Sequence, residues 1–208
     1  MSADLMGLGV AVVGVLGTVS AASLSQLAAL RGKRLDAEIQ RRQRKDERRD
    51  ATSLAAQEQK QVLYAELNTA TRSYRTVVRD HLAELQRAGT IPIPEQLEPT
   101  RSTYRDLFSR AQMVLPESAL DVAAELNDCF GLGYSALRAL HGADSPVTVE
   151  ELFQWFDGPV SDGVWLQRRV LRADLGVVAH DPEIERRLRQ LEKDRVARFG
   201  SGSVAVAD

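Results

Sequence analysis

The chain has 208 residues, 44% of them hydrophobic and 27% charged, with 27 Lys and Arg against 29 Asp and Glu. A net charge of −2 speaks against a general nucleic-acid binder, and the single cysteine, Cys129, excludes an intrachain disulfide. Arg outnumbers Lys by 23 to 4 while Ile and Asn are rare, as GC-rich codons produce, so the arginine count is not in itself a functional signal.

After an N-terminal flank at 1–4, residues 5–30 carry no charged side chain. Crossing a hydrocarbon core of about 30 Å takes about 20 mostly apolar residues, and this run is long enough to be a transmembrane anchor. Its apolar character is strongest at 5–19, and Ser20, Ser23, Ser25 and Gln26 pull the span toward 5–25. A cleaved secretory signal needs a basic segment before its apolar run. Here only Asp4 precedes it, so the segment is expected to stay. Within the span Gly7, Ala11, Gly14, Thr18, Ala21 and Ser25 recur every three or four residues. That spacing forms a seam of small residues, the condition for two membrane helices to approach closely.

Lys and Arg near the ends of a span set its orientation. None precedes the run, whereas residues 31–49 hold nine basic and four acidic side chains, a local surplus that leaves the rest of the chain at −7. The expected localisation is the cell membrane, single-pass, with the N-terminus outside and the body cytoplasmic. Arg31, Lys33 and Arg34 are candidate contacts for anionic lipid head groups, worth about 1 kcal/mol for each basic residue at the surface. Nucleic acid is not an expected partner, since no aromatic residue is interleaved with these arginines to stack on bases.

Residues 31–53 read as a basic juxtamembrane helix and 54–199 as a cytoplasmic helical domain. No proline or glycine interrupts 35–88, and the abundance of Ala, Gln, Glu, Arg and Leu predicts one long helix, with Thr52 and Ser53 the place where it would break. Between Ile39 and Leu54 the only apolar side chain is Ala51, which excludes a conventional coiled coil there. Leu63, Leu67, Ala70, Tyr74 and Val77, continued by Val78, Leu82 and Leu85, then form an apolar stripe. Its partner is either a second copy, as a coiled coil, or the body's own helices.

Gly89 closes the helix and Pro92 and Pro94 impose an extended connection. A helix is predicted at 100–114 through Tyr104, Leu107, Phe108 and Ala111, and another after Pro116 through Leu120, Ala123, Leu126, Phe130, Tyr134, Leu137 and Leu140. Thr148 and Glu151 read as a capping box opening a short helix. A helix at 160–175 follows the Asp157–Gly158–Pro159 break, and Asp181 with Pro182 opens the last one. Residues 200–208 read as a disordered tail. The predicted fold class is all-α: one N-terminal transmembrane helix, a long charged helix and a C-terminal helical bundle.

No catalytic, cofactor-binding or metal site is expected. His81, His141 and His180 are far apart in sequence and read as helix-end or surface residues. Cys129, beside Phe130, reads as buried and structural. Gly131 and Gly133 lack a third glycine at nucleotide-binding spacing and read as a helix-packing notch. Glu150 with Glu151, Asp121 with Glu125, and Glu183 with Glu185 read as solvated carboxylate pairs, and Trp155, Phe156 and Trp165 as core.

The opening residues 7–18 (GLGVAVVGVLGT), the Arg/Glu/Gln-rich helix and residues 67–75 (LNTATRSYR) together resemble uncharacterised small single-pass helical membrane proteins of actinobacteria, over about the first 90 residues. The resemblance implies an anchor followed by a helical body, and no activity. The expected function is a membrane-anchored helical scaffold or adaptor, not an enzyme, that binds a protein partner through its cytoplasmic helices. The alternative is a membrane-proximal regulator or effector that acts through regulated oligomerisation of the transmembrane helix, as a homo-oligomer.

Overall fold

The computed structural model describes the backbone of residues 3–142, 145–179 and 181–200, and the side chains of the same residues from 40 onward. The described residues are helical and contain no strand. The helices are α1 (Ala3–Ala88), α2 (Leu97–Ala111), α3 (Glu117–Leu140), α4 (Val149–Asp157), α5 (Pro159–Asp174) and α6 (Glu183–Phe199). The chain forms two compact units, Met1–Gln57 and Glu58–Asp208. Among the described residues no helix is long and apolar enough to cross a membrane. The side chains of the anchor, its seam and its basic flank up to Ile39 lie outside the described residues, as do those of the tail at 201–208.

In the first unit the described side chains, 40–57, are all exposed. As the composition predicts, α1 is one long helix and runs through Thr52 and Ser53 without a break. Thr52 Oγ1 donates to the Arg48 carbonyl at 2.8 Å, so its hydroxyl is satisfied within the helix rather than competing with it.

In the second unit the remainder of α1 packs on the body of its own chain. Its stripe joins Leu97, Tyr104, Phe108, Leu126, Phe130, Phe156 and Leu166 in one core. The buried set on α1 is Leu63, Tyr64, Leu67, Ala70, Thr71, Tyr74, Val78, His81, Leu82 and Leu85, with Val77 only partly covered. After Val77 the stripe continues on a rotated face through Val78, Leu82 and Leu85, and that drift suits contact with several helices of a globular body rather than one partner in a long supercoil.

An aromatic cluster centred on Phe130 ties three helices together, with ring centroids 4.9 Å from Tyr74 on α1 and 5.0 Å from Tyr104 on α2. α5 lies against α3, α4 and α6. The three-way meeting of α3, α5 and α6 depends on Gly163, where a Cβ would stand 2.9 Å from Leu126 Cδ1 and 3.1 Å from Leu191 Cδ2.

Helix boundaries follow local chemistry. α2 starts at Leu97 rather than 100 because Pro99 falls in its first turn, where a missing N–H leaves no bond unmade. Thr148 and Glu151 form the expected capping box. Asp181, just before the N-cap Pro182, accepts from the Glu183 N–H through Oδ1 at 3.0 Å and so satisfies the first N–H of α6. α1 closes at Gly89, whose φ of +78° favours glycine and whose N–H reaches the Leu85 carbonyl at 2.9 Å.

Candidate interaction surface

Side chains that could carry chemistry are mostly engaged in holding the body together. The Cys129 thiol is buried, and burial followed by the nearby Glu125 carboxylate raises its pKa. It stays protonated at neutral pH, which suits a structural cysteine and not a nucleophile. Trp155 Nε1 donates to the Cys129 carbonyl at 3.4 Å, and Trp155 and Phe156 are both core. Trp165 is half-buried, with the Arg187 guanidinium 4.6 Å from its ring centroid.

Of the two glycines read as a notch, only Gly133 forms one. A Cβ there would stand 2.7 Å from the buried Phe156 ring, whereas nothing lies within 4 Å of a Cβ at Gly131.

The carboxylate pairs divide. Glu150 accepts from Gln86 and Gln154, both at 2.6 Å. Glu151 accepts from Arg198 and from Thr148, and these hydrogen bonds, Arg198's foremost, hold its carboxyl down at about 2. Glu183 pairs with Arg186, and Glu185 with Arg189. Glu125 departs from the solvated reading. It is 7% exposed and meets Arg195 of α6 through two bonds, Nε to Oε1 at 2.6 Å and Nη2 to Oε2 at 3.0 Å. The two-pronged bond compensates a carboxylate that burial alone would make costly. Its position on α3, three after Val122 and four before Cys129, places it on the buried face.

Of the histidines, His141 is the exposed helix-end residue expected, and His81 departs from that reading. His81 is 2% exposed, in the stripe of α1, and its Nε2 lies 3.2 Å from Nε2 of the exposed His141 at the end of α3. The rings are 14° from parallel with centroids 5.4 Å apart. That separation exceeds the N···N distance by about two imidazole radii, so the rings lie end to end, nearly in one plane. Two nitrogens aimed at each other share a proton and do not converge on a metal ion. Among the described residues no three His, Cys, Asp or Glu side chains could hold one. His81 follows Tyr74 by seven and precedes Leu85 by four, so helical periodicity placed it inside; its partner, sixty residues away, left no mark in the sequence. His180 lies outside the described residues.

Among the surface depressions of the second unit is a groove of about 570 Å³ between α1 and α2. One wall is Ala65, Thr69 and Ser73, spaced four apart along α1; the other is Pro99, Thr100 and Thr103 of α2, with Ala70 and Leu107 between. These short side chains leave a channel rather than interdigitating. Glu66, which lines it, pairs with Arg110 of α2 at 3.6 Å, and Val62, three residues before Ala65, is 57% exposed. The groove was not foreseen, because the sequence marks the buried stripe of α1 but not which of its flanks α2 covers. The seam Gly7, Ala11, Gly14, Thr18, Ala21 and Ser25 and the head-group contacts Arg31, Lys33 and Arg34 lie outside the described residues.

Compared with known protein families, curated proteins and solved structures, the chain matches none.

Proposed function

We propose that the chain is a single-pass, membrane-anchored scaffold or adaptor, not an enzyme, whose cytoplasmic body takes up an amphipathic helix of a partner protein in the α1–α2 groove. The groove carries this reading. A row of short side chains at four-residue spacing is the receiving half of ridge-into-groove helix packing. Its lining is mostly apolar, with Glu66 and Arg110 at the rim to fix register. The partner helix therefore presents a narrow apolar ridge flanked by polar residues. The anchor is supported by the uncharged run at 5–30 and the basic flank after it.

The test is capture from membranes with the full-length chain. Thr69→Arg fills the groove with a charge at a surface position. It is expected to abolish partner capture while helix content and membrane fraction are unchanged. Retained capture by that variant removes the groove from the reading.

The spacing of the six small residues favours a second role, oligomerisation of the span coupled to the cytoplasmic body. Gly14→Ile is expected to abolish crosslinked homo-oligomers in membranes; an unchanged oligomer size rejects this role.

A further inference from the structure

We propose that His81 and His141 form a single-proton latch, which fastens the end of α3 to α1 near neutral pH and releases it on acidification. The latch goes beyond partner binding and does not depend on it.

The geometry sets the rule. Two imidazole nitrogens facing each other at 3.2 Å are bonded when one carries a hydrogen and the other a lone pair. A second hydrogen turns the attraction into an N–H to N–H clash. His81 is enclosed and its Nδ1 has no partner among the described residues. An enclosed, unpaired N–H is the rarer arrangement in proteins. In the neutral pair His81 therefore carries its hydrogen on Nε2 and donates, and His141 accepts. The exposed His141 then holds its own hydrogen on Nδ1, so the proton it takes up in acid arrives at the accepting Nε2. That proton occupies the bond. The pair must part, or His81 must move its hydrogen to the buried, unpartnered Nδ1. A charge on His81 is opposed in turn by its burial and then by His141.

The charged groups on the surrounding elements do not cancel this. Glu84, on α1 itself, favours a proton on His81. Glu150 of α4 is occupied by Gln86 and Gln154. Asp144 lies outside the described residues.

The sign follows. Below the ordinary histidine value, about 6.5, the released state binds freely a proton that the latched state can take up only by placing a hydrogen on the enclosed Nδ1 of His81. Its population then rises as pH falls, approaching tenfold per pH unit for each proton taken up. Hydrogen exchange on the full-length protein in detergent, corrected for intrinsic rates, tests this with peptides ending at Gly142. Between about pH 7.5 and about pH 5.5, protection there is expected to fall about tenfold. In His141→Gln, whose amide donates to His81 without titrating, protection is expected to be flat. Flat protection in the unaltered protein, or an equal fall in His141→Gln, overturns the latch. Ring ¹⁵N spectra of the unaltered protein at neutral pH give a second reading. One Nε2 bearing hydrogen and one bare supports it, and two alike overturns it.

Discussion

Gly131 and Gly133 sit two apart in one helix and differ only in what stands opposite. At Gly133 the space a methyl would take belongs to Phe156, a ring with no exposed surface from which to retreat. Gly133→Ala is therefore expected to destabilise the body by about 1–3 kcal/mol through overpacking. Gly131→Ala meets open space and removes a helix-interior glycine, for an expected gain of about 0.5–1 kcal/mol. Urea denaturation of the two variants checks the pair, and equal effects would show that α3 does not meet α4 as described. Residue-level legibility followed the same division. Burial of Cys129, Trp155 and Phe156 was readable from apolar neighbours at helical spacing. Glu125 and His81 were misread because a charged or titratable side chain suggests solvent unless its partner is known. Arg195 is seventy residues from Glu125.

At the scale of elements, the described helices were legible from helix-forming composition, proline and glycine punctuation and caps, and the start of α2 moved by a few residues for the reason given at Pro99. What periodicity left open was the partner of the α1 stripe, since a coiled coil and a globular face both require apolar residues every three or four positions. The drift of the stripe after Val77 onto Val78, Leu82 and Leu85 was the available discriminator. Leu67, fully buried on that stripe, and Leu54, 62% exposed in the first unit, give the corresponding test. Leu67→Ala is expected to cost about 2–5 kcal/mol and Leu54→Ala less than about 0.5 kcal/mol in the same denaturation experiment. A large effect at Leu54 would mean that a further surface covers it.

For the whole molecule, the all-α class was legible and the groove was not, because a groove is what two packed helices leave unfilled and depends on their pairing. The membrane arrangement has a direct test, helped by the seclusion of Cys129. With the only native thiol buried, introduced cysteines report on a quiet background. In intact cells a membrane-impermeant maleimide is expected to label Ser2→Cys and not Ser203→Cys, and to label both after permeabilisation. The reverse pattern would invert the topology, and extraction of the protein by alkaline carbonate would remove the anchor.

The Tyr64 hydroxyl donates to Asp174 at 2.7 Å, and Lys60 pairs with the same carboxylate, across more than a hundred residues of chain. During synthesis at about 5–20 residues per second, the stripe of α1 leaves the ribosome many seconds before α5 exists to cover it. The nascent chain passes through an interval in which Leu63, Leu67, Leu82 and Leu85 face the cell without their covering helices. That interval, and not the finished fold, is when a chaperone has the most to bind.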